Sequence, residues 1–180
     1  MRKFFMMQYA DEEANAPYGV AYKKEKKLFL LPPSGERVNS WNSECLTLQS
    51  GEFADYLANN AGLRLCSDKP REIIENCRGG KDALQWLETT VSDLMGARRK
   101  YFALHFPEDY DVLDRKRSIL AGGGKMIVKG VLSRAGVDGH RVFSYPRESG
   151  RRCLVDDLVR QTIENAGCTG MGFSEVSVSD

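Results

Sequence analysis

Leu154-Val155-Asp156-Asp157-Leu158-Val159-Arg160-Gln161-Thr162-Ile163-Glu164-Asn165-Ala166-Gly167 runs into Cys168-Thr169-Gly170-Met171-Gly172-Phe173. Leu158, Val159, Ile163 and Ala166 recur at helical spacing, which lays one apolar stripe along a helix. Asp157, Arg160, Gln161 and Glu164 fall on the opposite, solvated side. Asp156 is placed to cap the first turn, where a carboxylate accepts a free backbone N–H and suits the positive end of the helix dipole. Gly167 stands where a left-handed residue is wanted after the last turn. Residues 173–178 then read as a final strand. The stretch specifies strand, cap, helix, glycine and strand.

An echo of it lies 89 positions earlier, in Leu65-Cys66-Ser67-Asp68-Lys69-Pro70-Arg71-Glu72-Ile73-Ile74-Glu75-Asn76-Cys77. Pro70, Ile73, Ile74 and Cys77 repeat the stripe, and Pro70 suits a first turn because its missing N–H is not needed there. Lys69 precedes a proline, which disfavours helical backbone and makes it the expected cap in place of Ser67. Two readings stand: convergence of two amphipathic helices, or two similar strand–helix units packed together. In both, the helices are structural.

At 180 residues the chain is long enough for a single domain over 1–180, or two closely packed lobes of approximately 1–80 and 81–180. Such a length buries about 70% of the unfolded surface. Its 42% hydrophobic and 28% charged residues are those of a globular protein, not a disordered one. With 26 basic against 25 acidic side chains, long-range attraction to nucleic acid or an anionic membrane is not expected. Cys45, Cys66, Cys77, Cys153 and Cys168 form no CxxC pair, and their odd number fits a reducing compartment. The opening Met1-Arg2-Lys3-Phe4-Phe5-Met6-Met7-Gln8-Tyr9 is too short in its apolar part for a secretory signal and reads as a first strand. No apolar run reaches the length of a membrane span, so a soluble, cytoplasmic protein is expected.

Residues 11–42 are polar and irregular, with the charge run 23–27 read as a solvated turn and 28–31 as a short strand ended by Pro32-Pro33-Ser34-Gly35. Residues 45–48 alternate as a strand. Residues 50–60 have helical spacing, with Phe53, Tyr56 and Leu57 inward and Gly62 closing. Residues 84–92 and 100–106 are assigned to a hairpin, and 126–132 with 141–145 to a second pair joined across Gly136-Val137-Asp138-Gly139. Strands and helices mix without βαβ alternation. The expectation is an α+β fold, with mixed, largely antiparallel sheets and amphipathic helices packed on one side.

Chemistry-bearing motifs are sparse. Gly122-Gly123-Gly124-Lys125 lacks the upstream glycine, the following Ser or Thr and the helix of a phosphate loop, and reads as a turn. A nucleophilic cysteine would need His105 or His140 as its base, the only histidines present. Two histidines without clustered acids do not suggest a metal site. The most charged stretch is 107–118, with Glu108, Asp109, Tyr110 and Asp111 at its start. It reads as a self-neutralised turn and short helix, as an acidic surface offered to a basic partner, or as paired carboxylates for acid–base work. Arg98-Arg99-Lys100 and Arg147, Arg151 and Arg152 carry no nucleic-acid motif and read as hairpin tips.

Leu48-Gln49-Ser50-Gly51-Glu52-Phe53-Ala54-Asp55-Tyr56-Leu57, then Leu65-Cys66-Ser67, form the first blocks of a larger pattern. It continues in Tyr101-Phe102-Ala103-Leu104-His105-Phe106 and Val112-Leu113-Asp114-Arg115-Lys116-Arg117-Ser118. It closes on Leu154-Val155-Asp156-Asp157-Leu158 and Gly170-Met171-Gly172-Phe173-Ser174-Glu175-Val176. In order and spacing these blocks resemble the MXAN-type immunity-protein family of bacterial polymorphic toxin systems, first catalogued as a domain of unknown function. Asp156 stands where that pattern has serine, and both residues cap. The resemblance implies a non-enzymatic protein that binds a cognate protein toxin and blocks it, with no catalytic residues, no cofactor and no metal. Partner-binding candidates are the acidic Glu108, Asp109 and Asp111, with Tyr110, Trp41 and Trp86 as large amphipathic side chains; Tyr18 is of the same kind. A small enzyme using a Cys/His pair and a generic interaction module are the alternatives. The oligomeric state stays open.

Overall fold

A computed structural model describes residues 2–10, 20–22, 31–42, 45–49, 51–123, 126–146 and 152–179. In chain order the strands and helices are β1 (Phe4–Tyr9), β2 (Val20–Tyr22), β3 (Cys45–Leu48), β4 (Tyr56–Asn59), β5 (Leu65–Cys66), α1 (Asp68–Cys77), β6 (Gln85–Asp93) and β7 (Arg98–His105). There follow β8 (Ile119–Ala121), β9 (Met126–Lys129), β10 (Leu132–Ser133), β11 (Val142–Phe143), β12 (Cys153–Asp156), α2 (Asp157–Asn165), β13 (Met171–Val176) and β14 (Val178–Ser179). The fold is α+β with mostly antiparallel pairing. Of the elements expected from the sequence, 28–30 lie outside the described residues, as do the charge run 23–27 and Tyr18.

Two β-structures are built from this set. Strands β2, β3, β6, β7, β5 and β4 close into a barrel in that order. Strands β11, β12, β1 and β13 form a four-stranded sheet in which β1 is central, antiparallel to both neighbours. Pairs β8–β9 and β10–β14 are two-stranded additions.

Strand alternation sorts the apolar side chains into three clusters. Leu46, Leu57, Leu65, Leu87, Val91 and Ala103 fill the barrel, and cross-strand pairs such as Leu65 with Ala103 and Leu46 with Val91 put them on one face. Their neighbours Tyr56, Cys66 and Leu104 point outward, yet they are equally buried. They meet Phe5, Met7, Cys153 and Val155 from one face of the sheet, with Ile74 of α1 and Val159 and Ile163 of α2. The opposite face of the sheet, with Phe4, Phe143, Leu154 and Val176, covers a third cluster with Val112, Leu132 and Tyr145. Helix α1 lies on β5 and β7, α2 lies on β1 and β12, and the helices touch each other. Each helix follows directly on a strand, but β5 belongs to the barrel and β12 to the sheet.

The hairpin β6–β7 forms as expected, with Gln85 opposite His105 and Ser92 opposite Arg98. Three expectations are corrected. The helix expected over 50–60 does not form in its described part, 51–60: Tyr56–Asn59 is β4, and because both its faces are buried, its apolar run imitated helical spacing. Residues 126–132 do not pair with 141–145; β9 pairs with β8, and β11 pairs with β12. The first arm was mispaired because its true partner, 119–121, lay just across the glycine turn. Helix α1 starts two residues earlier than the proline rule suggested, with Ser67 at the cap position in place of Lys69 and Pro70 inside the first turn. Ser67 Oγ donates to Asp55 Oδ1 at 2.6 Å in place of capping its own helix.

Helix α2 begins as read: Asp156 is its cap, and its carboxylate accepts from Val159 N. Gly167 takes a left-handed φ of 65°. The stripe is narrower than expected, since Leu158 is 44% exposed while Val159 and Ile163 are buried. Among the described residues no helix is long and apolar enough to cross a membrane.

The joint between barrel and sheet is tight at Gly170. It has φ 76°, and a Cβ there would lie 2.4 Å from Tyr56 O and 2.6 Å from Ala54 Cβ. Thr169 and Asp55 hold this contact, with Asp55 N donating to Thr169 Oγ1 and Thr169 N to Asp55 Oδ2. Gly170→Ala is therefore expected to lower the melting temperature well beyond the cost of a left-handed alanine alone, about 1 kcal/mol. Gly96→Ala, at φ 90° in open space, is the control that measures that smaller cost.

Candidate functional site

After α1 the chain turns through Gly79 and Gly80, with Asp82 N donating to Gly79 O. The side chain of Asp82 then folds back into the protein and is fully buried. Its Oδ2 accepts from Gly79 N at 2.7 Å, Arg141 N at 2.9 Å and Val142 N at 2.8 Å. Its Oδ1 lies 2.8 Å from His140 Nδ1. One carboxylate thus ties the exit of α1 to the start of β11, 58 to 60 residues away in sequence. Arg2 donates to His140 O and to Asp156 Oδ2, which brings the first residues of the chain to the same corner.

His140 is only 5% exposed. Tyr110 lies against its ring at a centroid distance of 4.2 Å, and Phe143 flanks it at 5.8 Å. The Tyr110 hydroxyl accepts from Ala83 N at 2.9 Å and donates to Glu108 Oε2 at 3.3 Å. Burial pushes the Tyr110 phenol above its usual range. Gly80, Lys81, Asp82, Ala83, Glu108, Tyr110 and His140 line a shallow cleft of about 480 Å³. The contact of His140 Nδ1 with Asp82 Oδ1 fixes the orientation of the ring at the floor of the cleft. Lys81, also in the lining, donates to Asp138 O at 3.0 Å, and Glu108 and Tyr110 supply a carboxylate and an aromatic ring. That set suits a cationic hydrogen-bond donor. None of the lining residues is a serine, threonine or cysteine.

Of the residues singled out in the sequence, the structure brings Glu108 and Tyr110 into this cleft. Asp109 turns instead toward Gly35, whose Cβ position is 2.6 Å from its carboxylate. Asp111 is exposed and 3.9 Å from Arg115. Trp86 is partly buried on the helix layer, with Nε1 donating to Glu75 Oε1 at 2.6 Å. Trp41 packs on the barrel core and donates to Glu88 O at 2.6 Å. Asp82 was missed by sequence reasoning, and His140 was read as a turn residue. An acid just after Gly79-Gly80 signals a side chain that closes a turn, but nothing local announces its distant partner.

The other histidine serves the fold. His105 is buried, and its Nε2 donates to Glu36 O at 2.6 Å. Among the described residues no cysteine hydrogen-bonds to either histidine. Burial pushes the Cys66 thiol well up and the Cys153 thiol up to about 12, which leaves both as packed thiols. Cys168 is raised as well. No group of three or more metal-ligating side chains occurs among the described residues.

Two stability measurements test this geometry. Asp82→Ala leaves four donors without an acceptor, and the urea midpoint should show a loss of about 3 kcal/mol or more, with Asp82→Asn between it and wild type. Burial lowers the His105 pKa, so the unfolded chain takes up this proton first as pH falls below about 6.5. Stability should fall from neutral pH toward pH 5, and His105→Gln should flatten that slope.

Family comparison places these residues in context. The model of an immunity protein family (Imm11) matches residues 3–178, nearly the whole chain. No curated protein matches it. The match spans the barrel, both helices, the sheet and the cleft between 80 and 140, and on that extent the chain belongs to the Imm11 immunity protein family.

Proposed function

We propose that this chain is an immunity protein of a bacterial polymorphic toxin system, which binds a cognate toxin in the cytoplasm and blocks it without catalysing a reaction. The observation that carries this reading is the family match across residues 3–178. The cleft supports it chemically. Glu108 is exposed at the rim, and the half-buried Tyr110 offers an aromatic ring beside it. A lysine or arginine of the toxin fits that set, with the guanidinium or ammonium on Glu108 and its flat or methylene part on Tyr110. A stable complex needs an interface of about 1,200–2,000 Å² in all, so this cleft is an anchor within a wider surface. Trp41 and Trp86 act through the fold in this reading, because each already spends its indole N–H on an internal acceptor.

Coexpression with the toxin encoded by the adjacent gene tests the proposal. Wild-type chain should restore growth, and failure to do so would remove the reading. Glu108→Lys, at an exposed position, should leave the melting temperature unchanged and weaken binding at least about tenfold, equivalent to ~1.4 kcal/mol. Trp86→Phe should do the reverse, costing stability while leaving affinity near wild type.

A further inference from the structure

The hairpin of β8 and β9 carries an uncovered apolar face. Leu120 and Ile127 pair across it and point into the cluster beneath, beside Leu132 and Phe143. The register slips between Ile119 and Leu120, and the opposite face is left with Ile119, Met126 and Val128 at 56, 59 and 57% exposure. These are three of the six large hydrophobic side chains exposed among the described residues, gathered on one short ribbon. Exposed apolar side chains scattered singly need no explanation, but a cluster on a projecting element marks a contact surface.

The charge around it is segregated. Residues 115–134 contain six basic side chains and no acidic one, in a chain whose net charge is only +1. Lys116 and Lys129 are exposed and form no ion pair among the described residues. Arg115 and Arg117 reach Asp111 and Asp114 only at 3.9 and 3.8 Å, with the arginines largely in solvent.

We propose that this ribbon face is a docking surface for the toxin, received by an apolar patch that carries acidic side chains around its edge. The inference rests on the immunity reading and adds a second contact of opposite charge to the acidic cleft. The two adjoin one body of structure, since Tyr110 packs on the same cluster as Leu120 and Ile127. Two charge patches of opposite sign on one partner fix orientation as well as encounter rate. A second copy of this chain is a poorer occupant, because face-to-face association would bring two basic rims together. Nucleic acid is poorer too, because the ribbon has no aromatic side chain on which a base could stack.

The test uses the purified chain and the toxin whose killing it relieves in coexpression. Ile119→Ser with Val128→Ser alters only exposed side chains, and Lys116→Glu with Lys129→Glu probes the rim independently of any packing change. Expected are a native melting temperature, at least a 30-fold loss of toxin affinity for the serine pair, and a lower association rate with a weaker salt dependence for the glutamate pair. Serine and glutamate variants that bind within twofold of wild type would overturn the docking surface and leave the immunity reading standing. A wild-type chain that relieves no toxin would overturn both. Sedimentation of the wild-type chain with phosphatidylserine vesicles, or a concentration-dependent dimer, either one abolished by the serine pair, would assign the face to a membrane or to self-association and also overturn it.

Discussion

One apolar layer is shared by everything else in this molecule. The outward side chains of barrel strands β4, β5 and β7, one face of the sheet and the buried sides of α1 and α2 all enter it. A barrel strand that is dry inside and dry outside cannot alternate apolar with polar residues, and the sequences of β4, β5 and the second half of β7 do not. The two helices are short, and isolated helices of that length are marginal in water. Tertiary contact in this layer is what holds them. Removing water from both faces of a strand is also what makes the layer specific, because a slip of one residue would exchange two different sets of partners.

Around that layer three aspartates join segments that are remote in sequence. Asp55 binds Ser67 and Thr169, Asp82 binds Gly79, His140, Arg141 and Val142, and Asp156 caps α2 while taking Arg2. Burying a carboxylate is expensive unless its lone pairs are filled. Asp156 shows the balance: burial raises its pKa even though the Val159 N–H, Arg2 and Arg141 act in the other direction. Each of these carboxylates meets backbone N–H groups, which are fixed in place and lose little freedom on binding. The corner at Asp82 is consequently rigid where it opens to solvent. A rigid aromatic and carboxylate pair needs little reorganisation before it meets another protein.

Much of this was legible in the chain, and the failures share a cause. The run 154–173 was read almost element for element because its signals are local: an aspartate before a helix, a glycine after it, a stripe between. The β6–β7 hairpin and β1 were legible for the same reason. Tyr56–Asn59 was misread because burial on two faces erases the period that separates strand from helix. In the cleft, Glu108 and Tyr110 drew notice through charge and aromaticity, whereas Asp82 was passed over. Its importance lies in partners at 140–142, and a single sequence carries no mark of a contact between residues so far apart.

The place of β1 in the sheet has a consequence for how the molecule comes into being. Phe4 pairs with Asp156 and Val176, so β1 sits between two strands that follow it in the sequence only after the whole barrel. During synthesis its phenylalanines and methionines emerge with no lasting partner, while the intervening barrel strands can already associate among themselves. Closure of the sheet must await β12 and β13 leaving the ribosome, a long loop to draw shut and a slow step on topological grounds. The nascent chain is thus sticky at β1 while everything up to β12 is being made, and productive maturation depends on keeping that strand unclaimed until its two neighbours arrive.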